Sequence, residues 1–342
     1  MSRRRRLVAG LAALGVVLAA GWAGLLWSTR TPGTSFRGQF PPATEAETWA
    51  TARLRRHVET IAASERNVPD NAAALEAAAV YIEAELRRAG YAVESQRYQA
   101  AGQMVRNLSV ALASPNATAE TPTIVVGAHY DSFEGSPGAN DNASGTAALL
   151  ELARNLVDLR DRPPPVRLRL VFFTNEEPPY FHTELMGSVQ YANALAKAGE
   201  RVIAMYSLET LGYYSDRPGS QHYPPPLGLL YPTQGDFVAF VSMTPSRRLL
   251  QDSIRRFRET TKFPSEGGSA PGIIPGIDWS DHWAFERLNY PAIMITDTAF
   301  FRYPHYHKAT DTPDKLDYDK LARITLGVER LVREKAAAVP DR

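Results

Sequence analysis

The sequence predicts an α/β fold in which a central mixed, mostly parallel β-sheet is flanked by helices on both faces. Short apolar runs rich in β-branched and aromatic residues occur at Thr123–Gly127, Arg167–Thr174 and Val202–Leu208. They alternate with stretches of helical periodicity at Ala143–Leu159 and Ser188–Lys197. Strands that alternate with helices favour parallel pairing and a sheet that is covered on both faces.

Further elements extend this pattern in both directions along the chain. Between Glu45 and Gly90, apolar residues recur at helical spacing in two successive stretches, and Gly90 is expected to end the second helix. The remaining predicted elements are strands near Tyr91–Tyr98, Asn107–Leu112 and Ala292–Thr296 and a terminal helix over Pro313–Ala336.

Two segments rich in Pro and Gly, Tyr223–Leu227 and Phe263–Gly276, are predicted to be surface loops around the mouth of a site. The sequence contains no internal repeat and no second set of core-forming elements. Residues 45–342 are therefore predicted to form a single domain.

Residues 1–30 are predicted to anchor the chain in a membrane. Arg3–Arg6 precede Leu7–Trp27, 21 residues without a charge, and a helix of that length reaches about 30 Å, the thickness of the hydrocarbon core. The Arg cluster should remain cytoplasmic, which places the rest of the chain in the periplasm or outside the cell. The alternative is a cleaved signal peptide, which would release a secreted protein. Residues 31–44, rich in Pro, Gly and Thr, are predicted to be a linker.

Composition narrows the chemistry that the chain can perform. It has no cysteine, which excludes disulfides, thiolate catalysis and zinc sites built on Cys. The formal net charge is +1, and the N-terminal Arg cluster supplies four positive charges, so no basic face for nucleic acid is expected. Only seven histidines are present, so each one within a motif is a candidate for chemistry.

Two segments place a histidine or a carboxylate just beyond a predicted strand. His129 and Asp131 point the same way if the chain is extended, and they suit either a metal ligand with its carboxylate partner or a hydrogen-bonded turn. Asp141 lies in a loop of small residues directly before a helix. There it can either cap that helix or bridge two cations.

Three further segments deliver candidate ligands. Glu176 and Glu177 are adjacent after a strand, where they would repel one another unless a cation lies between them. One can then bind metal while the other acts as a general base, and the alternative is a solvated acidic turn. Glu209 follows another strand, and the pair His305 and His307 precedes the last helix.

Taken together, these segments predict a metal centre built from nitrogen and oxygen ligands. The carboxyl ends of parallel strands meet at one edge of a sheet, so their loops should converge. Histidine and carboxylate ligands without thiolate suit Zn²⁺, with Mn²⁺ or Co²⁺ as chemically suitable substitutes.

From about His57 to the C-terminus, the chain resembles the clan MH zinc peptidases. That group includes bacterial leucine-type aminopeptidases, glutamate carboxypeptidase relatives and glutaminyl cyclases. The resemblance is carried by the motifs GAHYDS, GANDNASG, FTNEE, MGSVQYA, SLETLGY, WSDHWAF and YHKATDTPDKLD. It implies that residues 45–342 form a zinc peptidase domain with the exopeptidase fold of this clan.

The resemblance also implies a role for each candidate residue. Two zinc ions per chain would be bridged by Asp141, with His129 and Glu209 completing one site and Glu177 and His307 the other. Glu176 would be the general base that takes a proton from the bridging water. Asp131 would orient His129 through its second ring nitrogen.

Two features depart from the family pattern. Residue 209 is Glu where many members carry Asp, which moves the carboxylate by one methylene. The link Pro178–Leu185 is longer than usual, is able to wall one side of the pocket, and contains His182 as an extra candidate ligand or substrate contact.

Two choices between histidines follow from the same comparison. His307 is preferred over His305 because it stands four residues before Asp311, as the family's ligand does before its own Asp-Thr. His282, in the SDHW segment, is expected to be a pocket or structural residue.

The function implied is that of a membrane-anchored di-zinc exopeptidase, in particular an aminopeptidase acting on peptides with a free terminus. The alternatives are a carboxypeptidase or dipeptidase of the same clan, a single-zinc glutaminyl cyclase, and a non-catalytic, receptor-like ectodomain. The intact GANDNASG loop and Glu209 argue against the cyclase, and the full ligand set argues against the receptor.

Overall fold

A computed structural model describes residues 3–338 of the chain, with side chains from Leu11 onward, and confirms the predicted α/β architecture. The strands are β1 Glu94–Ala100, β2 Gln103–Leu112, β3 Thr123–His129, β4 Arg167–Phe173, β5 Val202–Glu209, β6 Val238–Met243, β7 Ser265–Ala270 and β8 Ala292–Thr296. The helices are α1 Arg3–Thr29, α2 Glu45–Ile61, α3 Ala72–Arg88, α4 Gly145–Asn155, α5 Gly187–Lys197, α6 Arg247–Thr260, α7 His282–Glu286, α8 Ala299–Arg302 and α9 Tyr318–Ala337.

The strands form one mixed sheet in the order β1-β2-β4-β3-β5-β8-β6-β7. The central strands β4, β3, β5 and β8 are parallel to their neighbours in this group. The antiparallel pairs are β1 with β2, β2 with β4, and β6 with β8, whereas β6 and β7 are parallel. The carboxyl ends of β3, β4 and β5 consequently meet at one edge of the sheet.

Helices cover both faces of the sheet because its central strands are apolar on both sides. Side chains alternate along each strand, so Val126 of β3 and Phe172 of β4 join the larger core cluster, which is built with α2, α3, α4, α6 and α9. Val125 and Phe173 face the other way and pack in the smaller cluster with α5 and α7.

The helix boundaries follow local signals in the sequence. At the start of α2, the hydroxyl of Thr44 accepts a hydrogen bond from the amide of Glu47, whose carboxylate accepts one from the amide of Thr44. At the end of α3, Gly90 has a φ of +86° and the amide of Tyr91 donates to the carbonyl of Leu86, as predicted for a C-terminal glycine.

Two sequence predictions about element boundaries are wrong. The segment Phe263–Gly276 is not entirely loop, because Ser265–Ala270 form β7. The strand packs so closely there that a Cβ on Gly268 would lie 2.5 Å from the Tyr231 hydroxyl, which explains the need for glycine. Pro313 does not begin the last helix: it begins a separate 3₁₀ turn, and Asp317 caps α9 by accepting the amide of Lys320 at 3.0 Å.

A buried ion pair joins α2 to α4. The Nε of Arg53 donates to a carboxylate oxygen of Glu151 at 2.8 Å, and the side chain of Glu151 is completely buried whereas that of Arg53 is 20% exposed. The charge of this carboxylate is therefore balanced by a single arginine at the helix–helix contact.

We expect Arg53→Leu to lower the free energy of unfolding by about 3–5 kcal/mol, because it leaves the Glu151 charge buried and unpaired. Chemical denaturation measures this change. The matched control is Arg87→Leu on α3, which removes an arginine that is 66% exposed and paired with Glu83; that substitution should cost less than about 1 kcal/mol. Equal, small losses in the two variants would contradict this account.

Candidate metal centre

The predicted site residues arrive at one edge of the sheet because three parallel strands end there. His129 is the last residue of β3 and Glu209 the last residue of β5. Glu176 and Glu177 follow β4, whose final residue Phe173 is in register with His129. The remaining two candidates, Asp141 and His307, lie in loops that fold over this edge.

The structure brings Asp141 between two histidines. Its Oδ1 lies 3.3 Å from Nε2 of His129, which is also 3.2 Å from a carboxylate oxygen of Glu209. Its Oδ2 lies 3.1 Å from Nε2 of His307, which is also 3.3 Å from a carboxylate oxygen of Glu177. The five predicted ligands therefore form two groups that share one carboxylate.

The geometry and the unpaired atoms of this centre fit a zinc site. Ligands about 2.0–2.1 Å from a tetrahedral zinc are about 3.3 Å from one another, which matches the histidine–carboxylate separations of 3.1–3.3 Å. Both ring nitrogens of His129, Nε2 of His307 and Oε1 of Glu177 are buried without a hydrogen-bond partner among the described residues. Ligand atoms of His129, Asp141 and Glu177 all lie within 4.8 Å of one another.

The crowding of charge shifts the pKa values of these groups. Burial, together with the charge of Asp141, raises the pKa of Glu177 to about 8. Burial disfavours protonated His307, but the adjacent Asp141 and Glu177 carboxylates outweigh it and raise its pKa to about 10. The pKa of His129 is likewise raised well above its usual value, against the effect of burial, in particular by Glu209. These carboxylates thus attract positive charge strongly.

Glu176 lies beside the predicted metal ligands. Its carboxylate is buried and lies 3.8 Å from Nε2 of His129. Burial raises its pKa well above the usual range for a glutamate, and the charge of Glu177 adds to this effect. Burial and the neighbouring charge therefore stabilise the neutral form of this carboxyl.

Asp131 connects His129 to the loop that carries the two glutamates. Its two carboxylate oxygens accept hydrogen bonds from the amides of Glu176 and Glu177, each at 3.1 Å. The same carboxylate lies 3.4 Å from Nδ1 of His129. The predicted contact with His129 is therefore long, and Asp131 also fixes the position of the loop after β4, which the sequence did not indicate.

The loop that presents Asp141 is held by hydrogen bonds and not by a helix cap. Asp141 has φ −110° and ψ 93°, whereas α4 begins only at Gly145. The interpretation of Asp141 as an N-cap is therefore wrong, because its side chain is directed at the histidines. Asp311 instead holds the loop: its carboxylate accepts the amides of Asn140 at 2.8 Å and Asp141 at 3.1 Å.

His307 is fixed between two aromatic rings. Its imidazole stacks on Phe133 with 3.9 Å between ring centroids and on Tyr306 with 3.8 Å. The hydroxyl of Tyr303 donates to Asp311 at 2.8 Å, which ties the His307 segment to the carboxylate that holds the Asp141 loop. His307 and Asp141 are thus positioned by one connected set of contacts.

Sequence reasoning missed a fully buried arginine behind the centre. The guanidinium of Arg66 donates to the carbonyl of Tyr130 at 2.6 Å, to that of Gly138 at 3.0 Å and to that of Pro137. Burial lowers its pKa to about 10, although nearby carboxylates including Asp131 act in the opposite direction. No periodicity or motif around residue 66 indicates this role, because all of these contacts are tertiary.

The SDH segment contributes a serine that sequence reasoning also missed. The hydroxyl of Ser280 donates to the carboxylate of Glu209 at 2.9 Å and lies 2.7 Å from the hydroxyl of Ser207. Both serines are completely buried. Ser280, which is itself held by Ser207, binds one oxygen of the longer Glu209 side chain and so fixes the orientation of its carboxylate.

The other candidate histidines lie elsewhere. His305 is hydrogen-bonded to the hydroxyl of Thr310 at 2.9 Å at the surface, which leaves His307 as the member of the pair beside Asp141. His182 stacks between two aromatic rings, 3.9 Å from each. His282 donates a ring N–H to the carbonyl of Ile277 at 2.8 Å, which agrees with its predicted structural role.

A cavity of about 530 Å³ extends from the centre, beginning at Glu209 and Tyr306. Its lining is mainly apolar and includes both loops predicted to surround the site mouth, Tyr223–Leu227 and residues 271–276. The charged side chains among its described lining residues are two carboxylates, Glu209 and Glu266, and none is Lys, Arg or His.

Comparison with known proteins identifies relatives in sequence and in fold. The chain is 40% identical to the uncharacterized protein YfbL of Escherichia coli over 272 residues, which are 77% of this chain and 81% of that protein. Its fold is similar to that of BSAP, a zinc aminopeptidase from Bacillus subtilis, with a TM-score of 0.66, 15% identity and coverage of 85% of this chain and 96% of that one. It is also similar to the glutaminyl cyclase of Porphyromonas gingivalis, with a TM-score of 0.63, 21% identity and coverage of 85% and 100%.

These structural similarities establish the fold, and the sequence match establishes the family. Residues 107–332 match peptidase family M28, so the match includes every residue of the candidate metal centre. The predicted resemblance to the clan MH zinc peptidases is thereby confirmed, and the chain belongs to peptidase family M28.

Proposed function

We propose that this protein is a membrane-anchored aminopeptidase that binds two zinc ions and removes N-terminal residues from peptides. The observation that carries the proposal is the position of Asp141, whose two carboxylate oxygens face His129 and His307 at 3.3 and 3.1 Å. Each histidine has its own glutamate, Glu209 or Glu177, so each half of the centre has a nitrogen and a carboxylate ligand besides the shared one.

In the proposed reaction, the chain supplies a base and a fixed ligand frame. When bound, the two zinc ions would lower the pKa of a water between them and polarise the scissile carbonyl. Glu176 takes the proton from the attacking water and passes it to the leaving amine. Asp131 keeps Glu176 in place by accepting its backbone amide at 3.1 Å.

The charge of the cavity favours an aminopeptidase over a carboxypeptidase. A carboxypeptidase needs a cationic group that binds the free carboxylate of its substrate, and the described lining of this cavity contains no Lys, Arg or His. The carboxylate of Glu209 lies at the end nearest the centre, where a free α-amine is attracted. The substrate is therefore proposed to enter with its N-terminus toward Glu209.

A glutaminyl cyclase is the second candidate, favoured by the similarity to the Porphyromonas gingivalis enzyme. Such an enzyme would use one zinc, held by Asp141, Glu177 and His307. Nothing in that set requires Glu209 to lie 3.2 Å from His129 or Ser280 to fix its orientation. These contacts favour the two-metal alternative over the cyclase. They also favour it over a receptor-like domain that binds no metal.

The proposed anchor is α1. Residues Leu11–Thr29 form a helical span of 19 residues with a mean hydropathy of 1.8, none of which is buried against the protein. A helix of this composition is stable in lipid, where its backbone groups are satisfied internally. With Arg3–Arg6 retained in the cytoplasm, the peptidase domain lies outside it, whereas cleavage after this segment would give a secreted enzyme.

Replacement of Glu176 tests its role as the base. Glu176→Gln should keep its zinc but lose roughly 100- to 10,000-fold in turnover on aminoacyl reporter amides, because the amide cannot accept the proton. Glu134→Gln, at an exposed position of a neighbouring loop, is the control that removes an equal charge. Near-normal turnover in zinc-loaded Glu176→Gln would rule out this base.

Metal analysis tests the two-zinc centre. After dialysis, elemental analysis should find about two zinc ions per chain and about one in Glu209→Ala, since that change removes a ligand of only one ion. A panel of aminoacyl reporter amides should be cleaved, and a chelator should stop cleavage. One zinc in the wild type with cyclisation of N-terminal glutamine would support the cyclase instead, and no zinc would support the receptor.

Removal of the metal should make stability fall as pH rises. Glu177 and His307, with pKa values of about 8 and 10 in the fold against 4.5 and 6.5 ordinarily, hold protons more tightly in the folded state. Their contribution to the free energy of unfolding is fully present below the ordinary pKa values. It is lost as pH rises through the pKa values of the folded state. The melting temperature of chelator-treated protein should therefore fall between about pH 5 and pH 10.

The zinc-loaded protein provides the control for that experiment, because deprotonated ligands bind the metal more tightly as pH rises. The difference in melting temperature between loaded and stripped protein should widen toward high pH. A melting temperature of the stripped protein that increases across the same range would refute this account of the charge balance.

A further inference from the structure

The last turns of α1 form part of the wall of the active-site cavity. Gly21, Leu25, Ser28 and Thr29 line the same cavity that begins at Glu209 beside the metal centre. The apolar helix and the site of the proposed chemistry therefore lie on the same side of the molecule, with the cavity between them.

Direct contacts fix α1 to the peptidase domain. The guanidinium of Arg247 on α6 donates to the carbonyl of Trp27 at 2.8 Å and lies 4.2 Å from the centre of its indole ring. Arg258, three turns further along α6, donates to the hydroxyl of Thr31 at 3.0 Å and to the carbonyl of Pro32 at 2.8 Å. The end of the helix and the residues just after it are thus held to α6 at two points.

Three exposed apolar side chains lie in or beside segments that line the cavity. Ile273 is 89% exposed and Leu229 76% exposed, and they belong to loops whose neighbouring residues, Ile274 and Leu227, line the cavity. Phe300, another lining residue, is 51% exposed. Large side chains exposed to this degree are costly in water, and their grouping around one opening marks an interaction surface.

We propose that this opening faces the lipid surface in which α1 is anchored, with Leu229, Ile273 and Phe300 in contact with the outer leaflet. The partner is the lipid bilayer, and the substrates are amphiphilic peptides held at its surface with a free N-terminus. This inference rests on the proposed anchor and activity, and it adds where the substrate comes from and which residues meet the membrane.

The length of the helix supports this placement. Gly21 lies eight residues before the end of α1, which at 1.5 Å per residue is about 12 Å along the axis, within one leaflet of a hydrocarbon core about 30 Å thick. A protein surface that shares a cavity wall with Gly21 must therefore approach the headgroups. Trp27, which is 50% exposed and lies two residues before the end of α1, stands at the depth where interfacial tryptophans are found.

Cysteine labelling tests the lipid contact in the intact chain, which has no cysteine of its own. Ile273→Cys and Leu229→Cys are labelled with an environment-sensitive fluorophore, and the full-length protein is placed in vesicles of phosphatidylethanolamine and phosphatidylglycerol. Met104→Cys is the control, since Met104 is 52% exposed on β2, at the far end of the strand order from β7, which contacts α1. Nitroxide-bearing lipids should quench the labels at 273 and 229 and leave the label at 104 bright.

Two other outcomes would overturn the inference. The labels at 273 and 229 could be quenched by aqueous iodide as readily as the label at 104 and remain unaffected by the nitroxide-bearing lipids. That result would place this face in solvent. Labels shielded from both quenchers would show that a second copy of the chain covers the face instead of lipid.

Kinetics test the consequence for the substrate. One peptide with N-terminal leucine is offered free in solution or with a C-terminal acyl chain that holds it in the vesicle. The double substitution Leu229→Ser with Ile273→Ser should lower kcat/KM for the acylated peptide by about five-fold or more, since it removes apolar contacts with lipid. Hydrolysis of the free peptide should stay unchanged, and Met104→Ser should affect neither peptide.

The comparison between the free and the acylated peptide separates this inference from the proposed function. Equal effects of the double substitution on the free and the acylated peptide would overturn the membrane-facing opening while leaving the aminopeptidase intact. Cleavage of neither peptide by any version of the protein would instead refute the aminopeptidase, and the quenching pattern alone would then decide whether this face meets lipid.

Discussion

The contact on which the rest of this site depends is the carboxylate of Asp141 between two histidines. One side chain belongs to both halves of the centre, with separations of 3.3 and 3.1 Å to His129 and His307, so a displacement of its loop disturbs both at once. This explains why the loop is fixed from its backbone. Asp311 accepts two consecutive backbone amides, including that of Asp141, and belongs to the same segment as His307. Asp141 and His307, which are far apart in the sequence, are therefore held as one unit.

Concentrating carboxylates in this way is electrostatically unfavourable, and the surrounding structure is arranged to limit that cost. Asp131 receives two backbone amides, and the buried guanidinium of Arg66 lies among carbonyls behind the strand ends. These groups supply partial and full positive charge close to the centre, but the pKa of Glu177 remains raised to about 8. In the proposed two-zinc centre, a pair of divalent cations would balance the remaining negative charge, so the affinity for metal and the instability of the metal-free site would have the same origin.

The sequence was sufficient to predict the parts of this arrangement that depend on local pattern. Apolar runs placed β3, β4 and β5, and the polar residues at their ends then had to meet at one edge of the sheet. It was insufficient where position depends on tertiary contacts. Arg66 and Ser280 act through hydrogen bonds to distant segments, and β7 forms from the run SEGGSA, whose composition favours a loop and which becomes a strand only by pairing with β6. The orientation of Asp141 was likewise undecided, because a residue before a helix is as suited to capping as to metal binding.

The position of α1 adds a constraint that neither the motifs nor the family similarity contains. In the proposed membrane-anchored form, a flexible linker would let the peptidase domain rotate freely above the membrane, and the opening of its cavity would then face every direction in turn. Here Arg258 holds residues 31 and 32, at the beginning of the predicted linker, and Arg247 holds Trp27, so the domain is tied directly at the end of the helix. A short connection of this kind fixes which face meets the lipid. It also raises the effective concentration of any substrate confined to that surface, because enzyme and peptide then meet within a thin layer rather than in bulk solution. Under this proposal, substrate choice is set by where the cavity opens as well as by the side chains that line it.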